Sequence, residues 1–377
     1  MIHLFTTNQH THRPNALAHK PASWGKRLWA SICITMLSTL VSLPANAQWK
    51  SYLAYSEPTE IERASGNMIY VLASEGLYSY DTSDQSLQTY DKINALSDCG
   101  IAHIAWCQKA KRLVIVYSNY NIDLLEANGN VVNMADYMNK TMTTDKTVND
   151  IYVDGAYAYL STGFGIVKIN VANGNISDTY QLGFKVNYSY IKDGYLYAAS
   201  MANGMYRAPL TANLLDPNQW TRSGNYVWRK KTMDEELLNI VKTLAPGGPK
   251  TNYCGFLKLY GNKLFSCNGT FDVKPGSIQV LENNTWTIYQ DDIEAITGRR
   301  YQDILAIDVD PKNSNHIMAA GRNGLYEFSN GRFVAYYNNE NSPIQSYNNS
   351  NKEYQMVTGL KYDNDVNLWM LNSQAPS

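Results

Sequence analysis

The sequence predicts an all-β chain, a seven-bladed β-propeller of four-stranded blades, on three observations. The first is a repeated pattern: a hydrophobic strand, a short polar turn with Gly, then a second strand opening on Leu, Ile or Met. It reads IYVLASEGLYSYD at Ile69–Asp81, AYLSTGFGIVKIN at Ala158–Asn170, LYAASMANGMYRA at Leu196–Ala208 and IMAAGRNGLYEFSNG at Ile317–Gly331. The second is its period. From Gly76 through the glycine-less turn near Asn121 to Gly165 and Gly204 the steps are 45, 44 and 39 residues, the length of one blade. The third is composition. Runs of Tyr, Val, Ile, Leu and Thr are punctuated by Asn-Gly, Asp-Gly and Gly-Asn turns, with no alternating helices, which excludes a parallel α/β sheet.

The blades follow in order. Their middle strands fall at Met68–Tyr80, Leu113–Leu125, Ala156–Asn170, Tyr195–Leu210, Lys263–Leu281 and His316–Phe328, and a seventh begins in Gln355–Ser373. Aromatic outer strands close the units at Leu87–Asp91, Trp286–Gln290 and Phe333–Asn338. Trp49–Tyr55 carries the outer-strand signature without a blade of its own. It is expected to pair into blade seven and latch the ring, since an open sheet edge invites aggregation. Aligned on blade one, the last residues reach only the turn before a third strand, so the seventh blade is truncated and residues 48–377 read as the N-terminal propeller of a longer protein.

Residues 1–47 read as a signal peptide. Arg13, Lys20, Lys26 and Arg27 precede an uncharged run, Leu28–Leu43, and then Ala45-Asn46-Ala47, placing cleavage before Gln48. The run of 16 residues is short of the roughly 20 that span a bilayer, so no transmembrane helix is expected. Cleavage removes four of the six histidines, leaving His103 and His316, and takes the net charge from −1 to −5. A mildly acidic chain with no basic stretch excludes nucleic acid as a partner. Four cysteines remain, too few for a disulfide-built scaffold. Cys254 and Cys267 flank one hairpin and read either as buried thiols or as a bridge.

One stretch breaks the period. Gly204 to Gly276 spans 72 residues, and the excess lies at about residues 211–252. Thr232-Met233-Asp234-Glu235 has the form of a capping box. Leu237, Ile240, Val241 and Leu244 then share one helical face, and Pro246-Gly247 ends it. The expected arrangement packs that face on the propeller side. Arg229, Lys230 and Lys231 precede the helix and are the candidate contact for a partner or an anion.

Catalysis has little support. Cys99, His103 and Cys107 share one strand face, but residues four apart lie roughly 13 Å from each other, too far for one zinc with bonds near 2 Å. His316 sits among turn formers and reads as a loop residue. Asp308/Asp310 and Asp291/Asp292 are the carboxylate pairs open to glycosidase-type acid–base work, though turn carboxylates are normally solvated. Nucleophile and phosphate-loop motifs are absent, and no metal or cofactor is expected.

Together the segments QWKSYLAYSEPTEIERASGNMIYVLASEGLYSYD, YDKINALSDCGIAHIAW, AYLSTGFGIVKINVANGNISDTYQLG, DPKNSNHIMAAGRNGLYEFSNGRFVAYYNNENSPIQ and VTGLKYDNDVNLWMLNS resemble, in the same order, the N-terminal propeller of the PorZ family of the type IX secretion system. The resemblance implies a non-enzymatic component of the outer-membrane attachment machinery, exported to the periplasm or cell surface. It implies that the protein acts with the sortase and attachment-complex proteins that join cargo to anionic lipopolysaccharide. In that family a second propeller and a C-terminal sandwich follow, and lipid recognition lies in the sandwich, so it transfers to no residue of this chain. The alternative reading is the glycan-sensing extracytoplasmic propeller of a hybrid two-component regulator. Those carry a repeated D-x-x-G-x-[LI]-W-[IV]-G-T line that only Asp365–Trp369 approaches here.

Overall fold

A computed structural model of the chain describes the backbone of residues 2–5 and residues 49–269, 271–348 and 351–374. The expected leader and its cleavage point lie outside the described residues, apart from the backbone of Ile2–Phe5. Two units are distinguished, His3–Ser51 and a unit that holds Tyr52–Ser377.

The larger unit is built from six consecutive four-stranded antiparallel meanders and a two-stranded seventh sheet. Sheet one is Pro58–Arg63, Met68–Ala73, Gly76–Asp81 and Leu87–Tyr90. Sheet two is Ile101–Cys107, Arg112–Tyr117, Ile122–Glu126 and Val131–Asn133. Sheet three is Val148–Asp154, Tyr157–Thr162, Gly165–Asn170 and Asn175–Gln181. Sheet four is Tyr188–Lys192, Tyr195–Ser200, Gly204–Pro209 and Thr221–Gly224. Sheet five is Phe256–Tyr260, Lys263–Cys267, Ile278–Glu282 and Thr285–Ile288. Sheet six is Ile304–Asp310, Asn313–Gly321, Gly324–Ser329 and Arg332–Tyr337. Sheet seven is Val357–Tyr362 and Leu368–Asn372. Every middle-strand pair expected from the repeat is present.

The repeat's glycine has a steric cause. It opens the third strand where that strand meets the carbonyl of the fourth. A Cβ on Gly204 (φ 94°) would stand 2.7 Å from the Gly224 oxygen, and one on Gly324 (φ 124°) 2.5 Å from the Tyr337 oxygen. Any side chain there would push the outer strand off the sheet. In the glycine-less copy the positive φ moves to Tyr120 (72°), and Asn121 fastens the turn through its side chain to Ile122 N and Asn133.

Packing runs sheet face to sheet face. In sheet one, Tyr70 and Leu72 pack with Ile104, Leu113 and Ile115 of sheet two, while Ile69, Val71 and Ala73 point the other way. Because both faces are covered, the strand reads as a continuous apolar run rather than an alternation. Comparable clusters join sheets two and three, three and four, five and six, and six and seven. None among the described residues joins sheets four and five. The first strands of sheets one to four are successive neighbours, and so are those of five to seven.

Three expectations are corrected. Trp49–Tyr52 pairs with Ile2–Phe5 and not with the seventh sheet. An outer strand bonds to a third strand, and sheet seven, described as Val357–Tyr362 and Leu368–Asn372, presents none. The insertion's helix starts two residues later than the capping box suggested. It covers Glu235–Val241, and Asp234, not Thr232, is the N-cap, accepting from Leu237 N at 3.1 Å. His316 lies in a strand, opposite Ser329. Pro311 and Lys312 alone make the turn there, between the paired Asp310 and Asn313. No helix among the described residues is long and apolar enough to cross a membrane.

Candidate functional site

The insertion supplies the expected helix and places its apolar face as expected. Leu237 and Val241 are buried against Ile69, Val71 and Tyr78, with Ile240 and Leu244 beside them. The helix therefore covers the face of sheet one that sheet two does not.

The basic run ahead of the helix meets the first strands. In three consecutive sheets the first strand carries a bulge at an equivalent position, between Pro58 and Glu60, Ile101 and His103, and Val148 and Asp150. A bulge re-aims the residue that follows it. Glu60, His103 and Asp150 are thus equivalent positions of the repeat, and they form one polar cluster with Arg229 and Lys231. Glu60 Oε1 lies 2.6 Å from Lys231 Nζ and 2.8 Å from His103 Nδ1, and Oε2 accepts from Ile104 N at 2.7 Å. His103 Nε2 faces the Val148 carbonyl at 3.2 Å. Arg229 bonds Asp150 at 2.9 Å and lies over the Tyr188 ring at 4.6 Å. The carboxylate side chains are only 7% (Glu60) and 8% (Asp150) exposed.

These surroundings act differently on the two acids. Burial opposes ionisation of Glu60, but the His103 hydrogen bond, the Lys231 and His103 charges and the Ile104 amide outweigh it, leaving its carboxyl below the ordinary range. Burial wins at Asp150, raising its carboxyl despite Lys231 and Arg229. Burial likewise raises the neighbouring Glu62. Two of the three candidate contact residues thus direct their charge into the chain. All three are exposed, and Lys230 is the one with no ion pair among the described residues.

The remaining singled-out residues are dispersed. Cys107 Sγ donates to the Gly155 carbonyl, and among the described residues no three His, Cys, Asp or Glu side chains are placed to hold one metal ion. Cys254 and Cys267 are free thiols, and burial lifts Cys267 to about 12. Asp308 is buried, paired with Lys258, and accepts from Tyr362 N. Asp310 instead holds His316 at 3.1 Å, and Glu327 takes the other His316 nitrogen at 2.9 Å. Asp291 pairs with Lys250, and Asp292 accepts from Gln290. The Asp308/Asp310 and Asp291/Asp292 pairs are each divided between separate partners.

Residues 69–221 match the family described as the TSS9, PorZ, N-terminal β-propeller domain. That match runs from the second strand of sheet one to the outer strand of sheet four. This segment is similar to the PorZ N-terminal propeller family. A solved PorZ structure, described as an essential bacterial surface component of the type-IX secretion system of Porphyromonas gingivalis, superposes with TM-score 0.73 at 21% identity, over 85% of this chain and 57% of that one. The chain thus spans a little over half the length of that PorZ, and the likeness concerns the fold. The extracellular domain assigned to a hybrid two-component system of B. thetaiotaomicron gives TM-score 0.36 at 13% identity, over 86% of this chain and 46% of that one. That score supports no argument. No curated protein matches the chain.

Proposed function

We propose that the chain is a non-catalytic, partner-binding propeller of the type IX secretion system. It supports the sortase and attachment-complex proteins that anchor cargo to anionic lipopolysaccharide at the outer membrane. One observation carries this reading: the PorZ N-terminal propeller match covers four consecutive sheets, in a chain whose fold follows PorZ. On this reading residues 1–47 direct export and are removed before Gln48, sheet seven is the last blade of a ring, and lipid recognition belongs to no residue of this chain. A rigid body with loop-rich rims suits a scaffold, since rim loops vary without disturbing the core.

The test is deletion of the gene in its own organism. The expected phenotype is type IX cargo that crosses the outer membrane but is released rather than held on the cell surface. Normal surface retention of cargo would contradict the reading, as would turnover of any glycan by the purified protein.

A further inference from the structure

Because Arg229 and Lys231 turn inward, they fix what their neighbours present outward. Tyr226 packs on Tyr188 with ring centroids 5.9 Å apart. The Tyr188 hydroxyl donates to the Val227 carbonyl at 2.6 Å, and Arg229 is held by Asp150 and by the face of the same Tyr188 ring. The backbone is therefore tied to the first strands of sheets three and four on both sides of Val227 and Trp228. Between those ties Val227 is 63% and Trp228 67% exposed. Trp228 has no ring partner or hydrogen bond among the described residues, although Tyr188, Tyr190 and Tyr197 of sheet four cluster with Tyr226 close by. Lys230 is exposed on the same segment and has no ion pair among the described residues.

An indole held in water by a fixed backbone has the properties of an interface anchor. Trp is among the residues that dominate binding hot spots, and a segment already ordered loses little freedom on docking. Membrane-surface binding needs a broader apolar face with several cations around it, whereas this segment offers one Trp, one Val and one free Lys. Asp150 and Glu60 are engaged by Arg229 and Lys231, which leaves the exposed Lys230 available to an acid on a partner.

We propose that Val227 and Trp228, with Lys230 beside them, anchor a protein partner that offers an apolar pocket rimmed by carboxylates. This rests on the partner-binding reading above and names its surface. The experiment is hydroxyl-radical footprinting of the native full-length protein, in isolated cell envelopes and after purification, with a reporter peptide to normalise the dose. Trp228 should oxidise readily in the purified protein. In envelopes it should oxidise at least about 10-fold more slowly, as the water-excluded centre of an interface requires. Lys230→Glu should bring the rate in envelopes back toward the purified value with folding unchanged, because an exposed charge contributes little to stability. Equal rates in envelopes and in solution overturn the proposal. So does protection by anionic phospholipid vesicles alone, which would make the contact a membrane one. Envelopes from a strain lacking the type IX sortase separate the two readings. Loss of protection there places the partner in that system, whereas persistent protection keeps the anchor and counts against the type IX assignment.

Discussion

Sheets one to three and sheets five to seven meet the same electrostatic requirement by different routes. Each group carries carboxylates on its first strands, and a buried carboxylate has to be paired. In sheets five to seven the pairing is local. Asp308 of sheet six takes Lys258 from the first strand of sheet five, with Lys361 of sheet seven 4.0 Å away. In sheets one to three the strands supply Glu60, His103 and Asp150, and the cations come from the insertion, 171 residues from Glu60 and 79 from Asp150. A segment that looks like a surface excursion in sequence is thus a fastener for one half of the molecule. In the other half Asp308 needs no cation from the insertion, although the insertion's Lys250 pairs there with the less buried Asp291.

Substitutions should rank accordingly. The largest effect is expected at Lys258→Met. Asp308 is 3% exposed, and losing its close partner leaves a buried charge worth about 3–5 kcal/mol in urea unfolding. Leu237→Ala should come next, at about 2–4 kcal/mol, because it removes a buried side chain from the cover over sheet one. Lys231→Met should cost less, about 1–2 kcal/mol. Lys231 is nearly half exposed and lies between the surface and buried limits for ion pairs, and Glu60 keeps His103 and the Ile104 amide. If Lys231→Met proved as costly as Lys258→Met, the two halves would be equally dependent on internal pairing and the contrast would fail.

The smallest effect is a pH dependence at the edge of sheet six. Burial pulls His316 down, but its bonds to Glu327 and Asp310 prevail and its pKa is raised. A raised histidine adds stability that is complete below its unfolded value, near 6.5, and is lost as pH rises through the folded value. His316→Asn should flatten the stability profile above about pH 6.5, by no more than ~1 kcal/mol. An unchanged slope would show that His316 does not titrate with folding.

Much of the fold was legible because the repeat's glycine has a steric origin shared by three copies, at Gly165, Gly204 and Gly324. The insertion's helix was legible too, from the spacing of Leu237, Ile240, Val241 and Leu244. Its cap was not, since Thr232 and Asp234 both suit an N-cap and only the chain path selects between them. The destination of Arg229 and Lys231 was hidden because their partners are remote in sequence. A signal did exist: superimposing the repeats puts Glu60, His103 and Asp150 at one bulge position, three polar residues where a core strand would carry apolar ones. His316 was misread because Asp310-Pro311-Lys312-Asn313 looks like a long loop, whereas two residues suffice to turn a hairpin.

The central claim is that the insertion's cations hold sheets one to three from within. A double-mutant cycle between Lys231→Met and Glu60→Gln, read by urea unfolding, tests it most directly. The 2.6 Å pair should give a coupling energy above about 1 kcal/mol, with the double variant more stable than the sum of the single losses implies. Additive losses, with no coupling, would show that Lys231 rests beside Glu60 without fastening the segment, and the insertion would revert to a surface excursion.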